Sequence, residues 1–294
     1  YPPHGPNPNS SHACEVDKEN YVVDDIHLNL DLIPFGKVSF GNRKPFRKPF
    51  LHMLLRCFSL PIYVEFPFSS NSLHPMSPNS RSLDGRLTIR LEVLPGNSVS
   101  ERVELAAESG FDGIAFPGRF REKFGGETIA SLHDLPIPVR SVSLGFQGSL
   151  CSPMESQRQL CRDTLFKLFE FTSKLGANSV NMPPVLIQDN PQRFPSDDVD
   201  EQDKLLVEQL PLLGEEAVKF GLNLLLEPVN SFETDYLTTV NHAAKICEQV
   251  DHPSVGLTPD FYHMQMEEIN VPVALQEAAK WIRHVHTAEN TRVE

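Results

Sequence analysis

Three short runs set ionisable side chains directly after apolar residues. Leu224-Leu-Leu-Glu227-Pro-Val-Asn230 places a carboxylate behind three leucines. Val255-Gly-Leu-Thr-Pro-Asp260-Phe-Tyr-His263 places an aspartate and a histidine three residues apart. Trp281-Ile-Arg-His284-Val-His286-Thr-Ala-Glu289-Asn-Thr-Arg292 carries two histidines in strand alternation, so both face one side, with His286 nearer the C-terminal end. Taken singly, each has an ordinary reading. Glu227 could be a solvated loop residue, and a strand-end histidine is commonly a packing residue. Together, at three successive strand ends, Glu227, Asp260 and His286 point to one shared cation. Hard oxygen ligands with an imidazole suit Mn²⁺, Mg²⁺ or Co²⁺ better than a structural zinc.

The elements that must position these groups follow from the hydrophobic pattern. From about Arg86 onward, short apolar runs alternate with longer amphipathic stretches. The pattern predicts strands over Leu87–Val93, Gly113–Phe116, Val139–Leu144, Ser179–Met182, Leu222–Glu227, Val255–Thr258 and Ile282–His286. It predicts helices over Val99–Ser109, Glu127–Asp134, Met154–Leu175, Glu201–Phe220, Leu237–Val250 and Val271–Ala279. A unit of helix, glycine and apolar run recurs as Glu108-Ser-Gly-Phe-Asp-Gly-Ile, Lys174-Leu-Gly-Ala-Asn-Ser-Val and Lys219-Phe-Gly-Leu-Asn-Leu-Leu. Glycine just past a helix supplies the left-handed residue that ends it. Repeated βα units mean an α/β fold with a parallel sheet. Seven strands fit a (β/α)8 TIM barrel lacking one unit, truncated after strand seven, with a doubly wound sheet as the alternative. No GxGxxG follows the first strand, which weighs against a dinucleotide fold. In a parallel barrel, chemistry sits at the C-terminal strand ends, where these three runs fall.

Composition bounds the rest. The 294 residues carry a formal charge of −13, and the whole acidic excess lies in residues 85–294. That balance opposes a phosphate-backbone partner, which is held by clustered cations. Residues 1–84 are rich in proline, serine and asparagine and read as an irregular N-terminal extension beside a domain over 85–294. Within the extension, Arg43-Lys-Pro-Phe-Arg-Lys-Pro-Phe is basic and aromatic, a pattern shared by nucleic-acid arms, targeting segments and plain solvated chain. The stretch from Phe50 to Phe68 is too interrupted by charge and proline for a membrane span. Five widely spaced cysteines without a CxxC indicate a reducing compartment, hence a cytoplasmic location.

The run Leu-Leu-Leu-Glu227-Pro-Val-Asn230-Ser-Phe-Glu233, then Pro259-Asp260-Phe-Tyr-His263-Met264, then His284-Val-His286-Thr-Ala-Glu-Asn-Thr-Arg292, resembles the xylose isomerase-like TIM-barrel superfamily. Its sugar isomerase/epimerase branch, with ketose 3-epimerases and hydroxypyruvate isomerases, is the nearest in pattern. The resemblance extends over roughly residues 87–294. It implies metal ligation by Glu227, Asp260 and His286, with Glu227 also an acid/base carboxylate. It implies that His263 holds a substrate oxygen and that Glu233 and Arg292 contact substrate. The implied reaction removes a proton next to a ketose carbonyl, through an enediolate stabilised by a divalent metal such as Mn²⁺, Mg²⁺ or Co²⁺. The implied partner is a small sugar or hydroxy-carbonyl compound, with neither nucleic acid nor membrane. Dimers and tetramers are common in the resembled family, so a homo-oligomer is expected.

The family's second acid/base group is a glutamate on strand eight, for which this sequence offers no counterpart. Inversion by two bases is therefore expected to be impaired, and the gap is expected to leave a barrel edge unpaired. The alternative is a truncated, inactive barrel or a binding module. An endonuclease IV-like DNA repair nuclease is disfavoured, because Phe116-Pro-Gly-Arg119 and Ser143-Leu-Gly-Phe-Gln-Gly lack the early-strand histidines such an enzyme uses.

Overall fold

The computed structural model of the protein describes residues 86–119, 134–186 and 198–288, together with the backbone of 62–65. Eight strands run in the order β7-β6-β5-β4-β3-β2-β1-β8. They are β1 (Ile62–Glu65), β2 (Arg86–Arg90), β3 (Gly113–Pro117), β4 (Val139–Ser143), β5 (Ser179–Met182), β6 (Asn223–Leu226), β7 (Val255–Leu257) and β8 (His284–Thr287). The ladders from β2 to β7 are parallel. Between β7 and β8 two isolated parallel bridges occur, Leu257 with Ile282 and Asp260 with His286. Parallel neighbours require crossovers, and the helices α1 (Val99–Glu108), α2 (Glu155–Lys174), α3 (Val199–Lys219), α4 (Val240–Val250), α5 (Phe261–Glu267) and α6 (Val271–Ala278) lie on them. The parallel βα units expected from the pattern are therefore present, in a TIM-barrel-like fold.

Strands β3, β5 and β7 are buried at every position, as parallel strands covered on both faces must be. Helix α2 turns Cys161, Leu165, Leu168, Phe169 and Thr172 inward, a spacing that repeats every three to four residues along one face. Leu165 and Phe169 are wholly buried in the main apolar cluster, and each such side chain contributes about 1.5–3 kcal/mol by leaving water. Pro211 sits inside α3, where its missing N–H removes one backbone bond. The three predicted joints hold, with Gly110, Gly176 and Gly221 all at positive φ.

Two expectations are corrected. The strand predicted over Leu87–Val93 ends at Arg90, and Leu91–Val93 forms a 3₁₀ turn. Apolar residues alternate through both, so periodicity alone does not separate them. The second correction concerns the edge expected to be unpaired between the first and last parallel strands. Residues 62–65, from the segment read as an irregular extension, pair antiparallel with both β2 and β8. Ile62 lies opposite Ile89 and Thr287, and Glu65 opposite Arg86 and His284. Backbone groups of an edge strand demand partners, and β1 supplies them. The helix predicted over Glu127–Asp134 falls almost wholly outside the described residues.

The rim of the sheet at β3 and β4 is packed backbone to backbone. Gly118 N–H donates to Ser143 O at 2.9 Å, and a Cβ on Gly118 would fall 1.9 Å from Leu144 O. Leu144 itself has φ 61, so it has little freedom to retreat. Gly118→Ala is expected to destabilise the protein by about 1–3 kcal/mol, as overpacking does. A thermal melt would register this as a fall of several degrees, whereas an unchanged midpoint would contradict the packing described.

Candidate metal centre

Each functional side chain is delivered by a strand end. Glu227 follows β6, and its N–H donates to Met182 O at 3.1 Å, which ties the end of β6 to the end of β5. Asp260 follows β7 and caps α5: its Oδ1 accepts from Tyr262 N–H at 2.8 Å. Aspartate is a favoured N-cap because its oxygen meets a backbone donor the helix cannot satisfy. One turn further, α5 brings His263 back over the same site. His286 lies within β8, and its N–H donates to Pro259 O at 2.8 Å, which draws β8 against the β7–α5 junction.

These elements place Glu227, Asp260 and His263 so that one ligand atom from each lies within 4.8 Å of the others, and all three residues are buried. His286 belongs to the same cluster through its Nδ1, 2.5 Å from Glu227 Oε1. Asp260 Oδ2 lies 3.8 Å from His263 Nε2. The sequence reading grouped Glu227 and Asp260 with His286; in the structure the compact trio includes His263, and His286 adjoins it.

The two histidines have different surroundings. His263 Nδ1 accepts from Asn230 N–H at 3.1 Å, and Asn230 Nδ2 lies 2.6 Å away. An acceptor at Nδ1 leaves the ring proton on Nε2, facing Asp260. His263 is thereby a donor aimed into the cluster. His286 faces Asn181 Nδ2 through Nε2 at 3.1 Å. Behind it, His284 is buried with its ring edge-on to His286, centroids 5.0 Å apart. Burial, and secondarily the His286 charge, hold His284 well below the usual imidazole range, so it stays neutral.

Glu233 stands beside the cluster, with its Oε1 accepting from Asn230 Nδ2 at 3.3 Å. Arg292 lies outside the described residues. Sequence reasoning missed Asn181, Thr258, Ser143 and Asn230. Asn181 and Thr258 are wholly buried polar residues on or beside strands, and buried polar groups are retained where partners exist. A cavity of about 110 Å³ lies among the loops that follow β3, β4 and β5, lined by Arg119, Leu144, Phe146, Pro183, Pro184 and Leu186 among others. Arg119 and Phe146, which have ordinary solvent and packing readings in the sequence, thus line a cavity at the strand ends.

The donor set fits a divalent cation. The buried carboxylates of Glu227 and Asp260 and the His286 imidazole converge where uncompensated negative charge would be costly, with the His263 N–H beside them. Oxygen and nitrogen donors of this kind suit Mn²⁺, Mg²⁺ or Co²⁺.

Residues 103–294 match the family model described as "Xylose isomerase-like TIM barrel". The chain belongs to the xylose isomerase-like TIM barrel family. It is 25% identical over 199 residues to 3-dehydro-D-guloside 4-epimerase of Escherichia coli (strain K12), covering 66% of this chain and 76% of that protein. Over a shorter stretch of 80 residues it is 34% identical to the ketose 3-epimerase of Arthrobacter globiformis, covering 27% of this chain and 28% of the relative. Among solved structures, an E. coli 3-keto-D-glucoside 4-epimerase superposes with a TM-score of 0.57 at 25% identity, over 67% of this chain and 76% of the other. A D-psicose 3-epimerase superposes with a TM-score of 0.55 at 22% identity, over 65% and 67%, and shares the fold. Among the described residues, no helix is long and apolar enough to cross a membrane.

The described cysteines take no part in the site. Cys151, Cys161 and Cys247 are free and buried. Burial pushes the Cys161 and Cys247 thiols up to about 12, and Cys151 rises well above the ordinary thiol value for the same reason. The thiolate is the reactive form, so these three should resist alkylation by iodoacetamide at pH 8 in the folded protein and react after denaturation. Peptide mapping by mass spectrometry distinguishes the two; rapid labelling of Cys161 in the native state would contradict its burial.

Proposed function

We propose that the protein is a metal-dependent sugar isomerase/epimerase that moves a proton on the carbon next to a ketose carbonyl. The observation that carries this reading is the convergence of Glu227, Asp260 and His263 within 4.8 Å at buried strand ends, with His286 alongside. The family and its epimerase relatives support a small sugar as the substrate class. Glu227, Asp260 and His286 are the ligands of this reading, and Glu227 is also the base. When bound, a divalent ion there would withdraw charge from the substrate's carbonyl and neighbouring hydroxyl, which acidifies the adjacent C–H.

The chain's own residues do the rest. Glu227, screened from water, takes the proton from carbon and returns it. The Nε2–H of His263, held in that tautomer by Asn230, donates to a substrate oxygen as charge develops on it. Glu233 and Arg292 contact the remaining hydroxyls. A single carboxylate that gives the proton back to the same face produces isomerisation, whereas inversion requires a second base opposite it. The antiparallel β1 lies between β2 and β8, where the resembled family places the strand that carries this base.

Solvent exchange tests the first half of the reaction without requiring inversion. The protein with Mn²⁺ in D₂O is expected to exchange the C–H next to the carbonyl of at least one ketose in a panel, followed by proton NMR. No exchange in any ketose, by a folded and metal-loaded protein, would contradict the reading.

A further inference from the structure

We propose that Asp203 is a positioning residue of this site: from α3 it latches the loop after β6 and so fixes Asn230 and Glu233. The inference rests on the sugar-isomerase reading for its purpose but not for its geometry. Asp203 lies near the start of α3, the helix that precedes β6. Its Oδ1 accepts from the Tyr236 hydroxyl at 2.6 Å and lies 2.8 Å from His242 Nε2. A carboxylate only accepts, so His242 Nε2 carries the ring proton and donates it. Tyr236, in the loop, and His242, in the first turn of α4, thus meet on one oxygen, with their rings edge-on and centroids 5.5 Å apart. Tyr236 is only 5% exposed, so water competes little for its bond. Burial also raises the Tyr236 hydroxyl above its ordinary range, so it remains a donor.

The latch reaches the site through a closed ring of bonds within the loop. Val229 N–H donates to Leu237 O at 3.2 Å, which joins the residue before Asn230 to the residue after Tyr236. Inside that ring, Asn230 O accepts from Glu233 N–H at 2.9 Å and from Thr234 N–H at 3.1 Å. Thr234 Oγ1 accepts from Tyr236 N–H at 3.3 Å. Asn230 in turn donates to His263 and to Glu233. On the other flank, Glu267 and Glu268 at the end of α5 accept from Ser231 N–H and Val240 N–H, each at 2.7 Å. Asp203 is the anchor on the α3 side. The ligands of the proposed cation are held differently: Glu227 by Met182 O, Asp260 by Tyr262 N–H and His286 by Pro259 O. Releasing Asp203 therefore disturbs the groups that meet substrate and leaves the cation's ligands in place. A loop ordered in advance spends no binding free energy on becoming ordered.

The test compares wild type with Asp203→Ala, Asp203→Asn and Tyr236→Phe. Amide hydrogen exchange over residues 228–239, read by mass spectrometry on metal-free protein, reports the loop without requiring turnover. Asp203→Ala loses the bonds from Tyr236 and His242 to a charged group, so these amides are expected to exchange about 10–100-fold faster, with those of α2 unchanged. Asp203→Asn still presents an oxygen and is expected to restore the wild-type protection. Tyr236→Phe keeps the ring but loses the donor. It is expected to fall between the two, which provides a second reading should Asp203→Ala fail to fold. In ketose C–H exchange with Mn²⁺, kcat/KM of Asp203→Ala is expected to fall by up to about 100-fold, the scale of a misplacement of about 1 Å. Its Mn²⁺ affinity by calorimetry is expected to match wild type. Equal protection of 228–239 in wild type, Asp203→Ala and Tyr236→Phe, or kcat/KM and Mn²⁺ affinity falling together, would overturn the inference. A wild type that acts on no ketose, with the loop protection in the stated order, would instead count against the sugar-isomerase reading alone.

Discussion

Glu227→Gln is expected to abolish proton transfer while leaving the fold intact. The amide has the size of the carboxylate and still presents an oxygen to His286 Nδ1, which lies 2.5 Å from Glu227 Oε1. It cannot take a proton from carbon. General acid–base groups contribute about 10²–10⁴-fold, so C–H exchange into D₂O should fall by at least that range. Mn²⁺ affinity should fall as well, because one of the anionic ligands becomes neutral. Exchange kinetics by NMR, with a thermal melt as control, checks this. A variant that exchanges as fast as wild type would remove Glu227 from the chemistry.

Asp260 separates a structural from a chemical role within one side chain. Its Oδ1 caps α5 through Tyr262 N–H, and its Oδ2 faces the cluster. Asparagine is as good an N-cap as aspartate but lacks the charge. Asp260→Asn is therefore expected to retain stability and to lose Mn²⁺ affinity beyond the ~10–100-fold typical of outer partners. Asp260→Ala is expected to lose the affinity and, in addition, about 1 kcal/mol of stability from the missing cap. Calorimetry for the metal and chemical denaturation for stability read the two effects independently. Equal Mn²⁺ affinity in wild type and Asp260→Asn would show that the charge serves no cation.

The parts of this molecule that were legible in its sequence are those set by local rules. A carboxylate behind Leu224-Leu-Leu, or an aspartate behind Val255-Gly-Leu-Thr-Pro, is visible because burial and charge change abruptly within a few residues. The joints at Gly110, Gly176 and Gly221 are visible because helix ends favour glycine. The parts that were hidden depend on distant partners. Ile62–Glu65 is four residues within proline- and serine-rich surroundings, and only its pairing with Thr287 and Ile89 makes it a strand. Asn181 is one polar residue in Ser-Val-Asn-Met, and its meaning comes from Thr258 and His286, which are 77 and 105 positions away. His263 was expected to hold substrate. Its placement in the compact trio follows from the turn of α5 that Asp260 starts, a geometry that linear spacing only suggests.

Anomalous diffraction from crystals soaked in Mn²⁺ would test the shared site most directly. The expected map has one manganese peak per chain at the C-terminal ends of β6, β7 and β8, within bonding distance of Glu227, Asp260 and His286. A map with no peak there, or with manganese held elsewhere while these three side chains contact only protein, would contradict it.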